Sequence, residues 1–74
     1  MKFGRVVKKY RLIAGMSQEK LAASAGIHRN YAGAVERGER NLALLNMVRI
    51  ARALRVPLSQ MMRDMESDGA TQSS

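Results

Sequence analysis

Two short stretches of helix-forming residues meet at one glycine in this chain, and that corner limits the folds open to it. SQEKLAASA (17–25) precedes Gly26, and IHRNYAGAVE (27–36) follows it. Ser17 is a good N-cap for the first stretch, and Gly26 can adopt the positive φ that turns the chain sharply. Isolated helices shorter than about 12–15 residues are marginal in water. The two stretches must therefore pack against each other and against further helices.

Apolar residues recur at helical spacing along the rest of the chain, without strand-like alternation. Helices are predicted at about 2–14, 18–25, 28–36, 44–54 and 57–65. Pro57 suits the first turn of the last of them. Residues 66–74 carry no apolar side chain larger than alanine, so a disordered polar tail is expected there. The predicted fold is all-α, one five-helix bundle over residues 1–65.

The charge of the chain indicates a polyanionic partner. There are 13 Lys and Arg residues against 6 Asp and Glu residues, with a net charge of +7 at pH 7. Three of the acidic residues lie at positions 64, 66 and 68, so the excess of positive charge over residues 1–63 is larger still. Nucleic acid is the leading partner for such a domain, and an anionic membrane surface is the second.

Several classes of function are disfavoured by what the sequence lacks. It has no cysteine and a single histidine, His28, so neither a disulfide nor a metal cluster is expected. No run of 18 apolar residues occurs, and the basic N-terminus lacks the apolar core of a signal peptide, which favours a cytoplasmic protein. No Ser/His/Asp set, glycine-rich phosphate loop or paired carboxylates appear. We expect no enzyme, no cofactor and no small-molecule ligand.

A short helix, a glycine turn and a second short helix form the helix-turn-helix pattern. Its physical use is to hold the second helix clear of the bundle, where it can enter the major groove of DNA. A short helix is sufficient, because the groove is read by one face of two or three turns. The corner at Gly26 therefore predicts a DNA-binding module.

The segment SQEKLAASAGIHRNYAGAVERGERN, followed by LLNMVRIARALRVPLSQMM, resembles the phage repressor and Cro-like (XRE-type) helix-turn-helix regulators of bacteria. The resemblance covers roughly residues 4–63. RNYAGAVERGERN is also similar to the matching segment of restriction–modification controller proteins, which read R-x-Y, then apolar-Glu-Arg, then Arg-Asn. The resemblance implies a five-helix repressor-like fold, a helix-turn-helix at about 17–37, and sequence-specific binding of double-stranded DNA.

The resemblance also implies roles for residues at matching positions. Arg29 and Asn30 would reach base edges, since Arg suits guanine and Asn suits adenine. Ala34, one turn further on, could touch only a thymine methyl group. Arg11 and Glu36 match a pair that forms a salt bridge between the first and third helices. The candidate base contacts are His28, Arg29, Asn30 and Ala34. The candidate phosphate contacts are Ser17, Gln18, Tyr31, Arg37, Arg40 and Asn41.

The sequence departs from the family pattern at four positions. His28 and Ala43 stand where capping residues usually open the third and fourth helices, and loss of a cap costs about 0.5–2 kcal/mol. Gly33 lies inside a helix, where it costs about 1 kcal/mol against alanine. Ala32 replaces a larger apolar residue. The small residues 32–34 predict a close approach of the helix backbone to DNA, with part of the specificity coming from DNA shape.

Apolar side chains left on the last helices predict a homodimer. One such domain buries little surface on DNA, whereas two domains related by a two-fold axis read two half-sites about one helical turn apart. A pseudo-palindromic operator follows. One of Met61 and Met62 is expected to fill the core. The candidate interface residues are Leu45, Leu58, Met61, Met62 and Met65.

Two functions stay open at this point. The first is a transcriptional regulator, with a restriction–modification controller acting on its own promoter as the more specific form, and with activation and repression both open. The second is a helix-turn-helix antitoxin that neutralises a partner protein and regulates its own operon. Membrane binding is disfavoured, because the predicted helices carry charges all round and lack a broad apolar face.

Overall fold

The structure is a computed structural model that describes residues 3–39 and 42–73, with 68–73 as backbone only. Its helices are α1 (Phe3–Ile13), α2 (Gln18–Ala25), α3 (Arg29–Glu36), α4 (Leu44–Leu54) and α5 (Leu58–Ser73). Over these residues there is no strand, and the predicted all-α five-helix fold is confirmed. No helix in the described ranges is both long and apolar enough to cross a membrane.

The bounds of α1 to α4 lie within one residue of those predicted, but the predicted end of the last helix is wrong. α5 continues to Ser73, so the backbone of residues 66–73 is helical where the sequence predicted a disordered tail. No proline follows Met65, and the least favourable residue of the segment, Gly69, disfavours a helix by only about 1 kcal/mol. Nothing in this segment therefore forces the helix to stop.

Caps and turns follow the residues that predicted them. The Ser17 hydroxyl accepts a hydrogen bond from the Lys20 amide at 3.0 Å and caps α2. Gly26 ends α2 with φ at 72°, the left-handed conformation that the corner requires. The N-caps of α3 and α4, His28 and Ala43, make no side-chain cap bond. Packing must therefore hold the start of each of these two helices.

A single apolar core draws on every helix of the bundle. Its largest fully buried side chains are Val6, Val7, Leu21, Ile50 and Met61, with Val35 of α3 packed among them. Met61 has no exposed surface. Its predicted place in a dimer interface is therefore wrong, because its whole side chain is buried in the core. The expectation that one of Met61 and Met62 fills the core is confirmed.

Gly4 allows α1 and α3 to approach each other closely. A Cβ built at this position would overlap the Val35 carbonyl oxygen of α3. Any side chain at residue 4 would push the two helices apart. The lack of a side chain at Gly4 thus determines how closely α3 packs against α1.

A polar cluster ties α5 to α1. The Asp64 carboxylate accepts hydrogen bonds from Lys9 Nζ at 2.8 Å, from the Tyr10 hydroxyl, and from Gln60 Nε2 at 2.9 Å. The hydrogen bond from Lys9, followed by that from Tyr10, lowers the pKa of Asp64 to about 2. The same contact with Asp64 raises the pKa of Lys9 and of Tyr10. The charged form of Asp64 is therefore the one that the fold favours.

This cluster predicts a loss of stability in acid. An unfolded Asp has a pKa of about 3.9, and the folded-state pKa of Asp64 is about 2. Its contribution is fully present above about pH 4 and is lost as the pH falls toward 2. The difference in unfolding free energy between wild type and Asp64→Asn should therefore shrink over that interval, as measured by urea titrations. Glu66→Gln on the same helix is the control, and a difference that does not change with pH would contradict the prediction.

Candidate nucleic-acid interface

The first turn of α3 projects two exposed polar side chains beyond the Gly26 corner. Arg29 and Asn30 are both exposed, and they line one open polar pocket together with Gln18, Gly33 and Arg37. This pocket, called the α3 pocket below, has a volume of about 360 Å³. The structure thus brings two predicted base contacts together with two predicted phosphate contacts.

Arg37 lies at the C-terminal end of the α3 pocket and carries an exposed ion pair. Its Nη2 is 3.0 Å from Glu39 Oε1, and both side chains are more than half exposed. The hydrogen bond to Glu39 raises the pKa of Arg37, so the guanidinium stays charged. Exposed pairs of this kind contribute little to stability, because water and salt screen them. A stronger anion can therefore replace the carboxylate at little cost.

A buried ion pair lies directly behind this pocket. Arg11 Nε donates to Glu36 Oε2 at 2.7 Å, and Arg11 Nη2 donates to Glu36 Oε1 at 3.1 Å. The remaining Arg11 nitrogen donates to the Met16 carbonyl oxygen at 2.9 Å. The pair expected from the family pattern is present, and it joins α1 to α3 and to the segment that leads into α2.

The same carboxylate holds Gln18 at the start of α2. Gln18 Nε2 donates to Glu36 Oε1 at 3.2 Å. A side-chain amide nitrogen carries two hydrogens, so one N–H is left for a ligand. The donation from Gln18 to a phosphate stays a prediction. The hydrogen bond to Glu36 fixes the orientation of the Gln18 amide.

Tyr31 is a half-buried residue in the first turn of α3, and its hydroxyl contacts α4. Asn46 Nδ2 donates to the Tyr31 hydroxyl at 3.2 Å. Because the hydroxyl acts as acceptor in this bond, its own proton can still be donated to a phosphate. Sequence reasoning did not identify Asn46, since its partner lies 15 positions away on another helix.

The structure corrects the prediction made for Ala34. This residue is only 8% exposed, so its methyl group lies in the bundle and is not available to a thymine. Ala32 is buried as well, at 1%. Close packing of α3 on the bundle accounts for both small side chains, in place of a close approach to DNA. Gly33, between them, is the small residue that lines the α3 pocket.

Four other residues were predicted to contact DNA, and two of them lie in the described part of the chain. Ser17 and His28 are exposed, and the Ser17 hydroxyl is already used as the α2 cap. Arg40 and Asn41 lie outside the described residues. The contacts predicted for all four with DNA stay predictions.

A family model described as "Helix-turn-helix" matches residues 7–61. The chain belongs to the helix-turn-helix family. The match spans α2, the Gly26 corner, α3 and α4, together with part of α1 and the first turn of α5. In this helix-turn-helix domain α2 is the first helix of the motif and α3 is the second, which is the recognition helix of such domains.

Several related proteins are control proteins, and restriction–modification controller proteins are among the similar solved structures. The chain is 43% identical to the control protein C.SmaI of Serratia marcescens, over 76% of this chain and 67% of that protein. It is 35% identical to the control protein C.MunI of a Mycoplasma species, over 92% of this chain and 93% of that protein. The crystal structure of the restriction-modification controller protein C.AhdI from Aeromonas hydrophila superposes with a TM-score of 0.79 at 42% identity, covering 81% of this chain and 91% of that one. The resemblance to controller proteins predicted from RNYAGAVERGERN is confirmed.

Proposed function

We propose that this chain is a sequence-specific regulator of transcription that binds double-stranded DNA through α3. The observation that carries the proposal is the α3 pocket, where exposed Arg29 and Asn30 stand at the start of a recognition helix between Gln18 and Arg37. Arg29 is suited to guanine O6 and N7, and Asn30 to adenine N6 and N7. Gln18 and Arg37 are suited to the phosphate backbone.

The proposed contacts divide into two kinds. Those to phosphate fix the register of the protein on the duplex, while those to base edges carry sequence information. The net charge of +7 supplies a long-range attraction that is independent of sequence. Binding should therefore weaken as salt rises, whereas the preference for one sequence should remain.

Control proteins among the relatives support a more specific role, in which the chain regulates its own promoter in a restriction–modification system. They support a regulator and not the antitoxin, and a DNA-binding regulator is not an enzyme. Such a protein would act in the cytoplasm, where bacterial DNA is. The test is binding to a labelled duplex taken from upstream of the chain's own coding sequence. A protected site that survives excess unrelated duplex supports the role, and its absence contradicts self-regulation.

We further propose that the regulator works as a homodimer. Leu45 of α4 is 61% exposed, and Leu58, Met62 and Met65 of α5 are only partly buried. A two-fold interface would use each of these side chains twice. If the dimer is weak, occupancy of the operator becomes steep in protein concentration, which suits a self-timed switch.

Leu45→Ser is expected to weaken the dimer by about tenfold or more, because burial of a leucine contributes about 1.5–3 kcal/mol and the change occurs in both subunits. Sedimentation equilibrium measures the dissociation constant. Leu12→Ser is the matched control, since Leu12 is 59% exposed on α1, outside the proposed interface. If Leu12→Ser weakens the dimer and Leu45→Ser does not, the interface proposed here is wrong.

A further inference from the structure

Gly33 is an unexpected residue at the centre of α3. The helix has eight residues and no side-chain cap at His28, so its own stability is low. Glycine inside a helix lowers that stability further relative to alanine. A recognition helix this short would be more stable with alanine at residue 33, and some other requirement must favour glycine.

Packing inside the free protein does not supply that requirement. A Cβ at residue 33 would lie 3.1 Å from Arg37 Nη1 and 3.5 Å from Gln18 Oε1. Both neighbours are the ends of side chains, and the Arg37 guanidinium is exposed and can move. Gly4 is different, since there the obstacle is the backbone oxygen of Val35. Alanine at residue 33 is thus compatible with the fold.

What alanine would change is the floor of the α3 pocket. Arg37 lies over Gly33 and is braced at Nη2 by Glu39, while Gln18 is held from below by Glu36 at 3.2 Å. Gly33 is buried beneath these two side chains, and all three residues line the α3 pocket. A methyl group there would displace the Arg37 guanidinium and raise the floor of the pocket.

We infer that Gly33 is a determinant of DNA affinity: its lack of a side chain lets a backbone phosphate enter the α3 pocket, where Arg37 and Gln18 donate to it together. The inference rests on the proposed function and adds a residue that makes no polar contact itself. Charge-assisted hydrogen bonds weaken steeply when donor and acceptor are held apart. A single methyl group would therefore reduce both donations at once.

Gly33→Ala tests this, because stability and binding should move in opposite directions. The variant should gain helix stability, with a Tm higher by about 4–8 °C. Its affinity for a fluorescein-labelled duplex should fall by about tenfold or more. The slope of log K against log salt should become shallower by about one for each half-site, since one phosphate contact is lost. Sequence preference should not change.

The control is Ser24→Ala, at an exposed position on α2. It should also raise Tm, and it should leave binding unchanged. Two probes are used, a random-sequence duplex and the duplex that wild type selects from a random library. If wild type selects no sequence, the proposed function fails, yet the random duplex still tests Gly33, because every duplex carries phosphates. Unchanged affinity and salt slope in Gly33→Ala would overturn the inference, as would a fall in Tm, which would make Gly33 a folding requirement.

Discussion

Glu36→Gln is expected to destabilise the protein by about 3–5 kcal/mol. The substitution leaves the Arg11 guanidinium buried beside a neutral amide, without the carboxylate that now accepts from it at 2.7 and 3.1 Å. Native proteins have total stabilities of only about 5–15 kcal/mol, and a small domain lies toward the low end of that range. The variant should therefore lose a large part of its stability, as measured by urea unfolding of the full chain.

Two further variants separate burial from charge. Glu39→Gln removes a carboxylate from an exposed ion pair, and it should change stability by no more than about 0.5 kcal/mol. The double variant Arg11→Met with Glu36→Leu removes both buried charges and should be more stable than Glu36→Gln, since apolar pairs replace buried ion pairs at little cost. Equal losses in Glu36→Gln and Glu39→Gln would contradict the role given to the buried pair.

Arg29→Ala is expected to reduce affinity for the selected operator by about 1–3 kcal/mol for each half-site. The arginine is exposed at the start of α3, so its removal should leave stability nearly unchanged. Specificity should relax at one base pair in each half-site, where guanine is otherwise preferred. Fluorescence anisotropy with operators that vary at each position measures both effects.

The control for charge is Arg49→Ala on the exposed side of α4, which also removes one positive charge. It should weaken binding slightly and equally for all sequences. Asn30→Ala should in turn relax the preference for adenine at a neighbouring position. If Arg29→Ala and Arg49→Ala weaken binding equally and leave the sequence preference intact, Arg29 contributes only charge.

Local signals in the sequence were sufficient for much of the fold. Ser17 and Gly26 set the ends of α2 through hydrogen bonds within a few residues, so the local sequence alone predicts both ends. The pair of Arg11 and Glu36 lies 25 positions apart, and it followed from the family pattern rather than from spacing. The exposed start of α3 at Arg29 came from the helix-turn-helix pattern itself.

Other features depended on packing that no local pattern contains. Successive residues on a helix point about 100° apart. Gly33 and Ala34 are both buried, yet only Gly33 lines the α3 pocket, and the neighbouring helices and side chains decide that difference. Met61 and Met62 are equally apolar, yet Met61 is fully buried in the core and Met62 is only partly buried. The contact between Lys9 and Asp64 joins residues 55 positions apart.

The central claim is that α3 reads base sequence in double-stranded DNA, and selection from a random duplex library at near-physiological salt tests it most directly. We expect enrichment of a two-fold symmetric site with half-sites about ten base pairs apart. Repetition with Arg29→Ala should remove the preference at one position of each half-site. If no sequence is enriched and binding only fades with salt, the positive charge of this chain attracts DNA without reading it, and the claim is wrong.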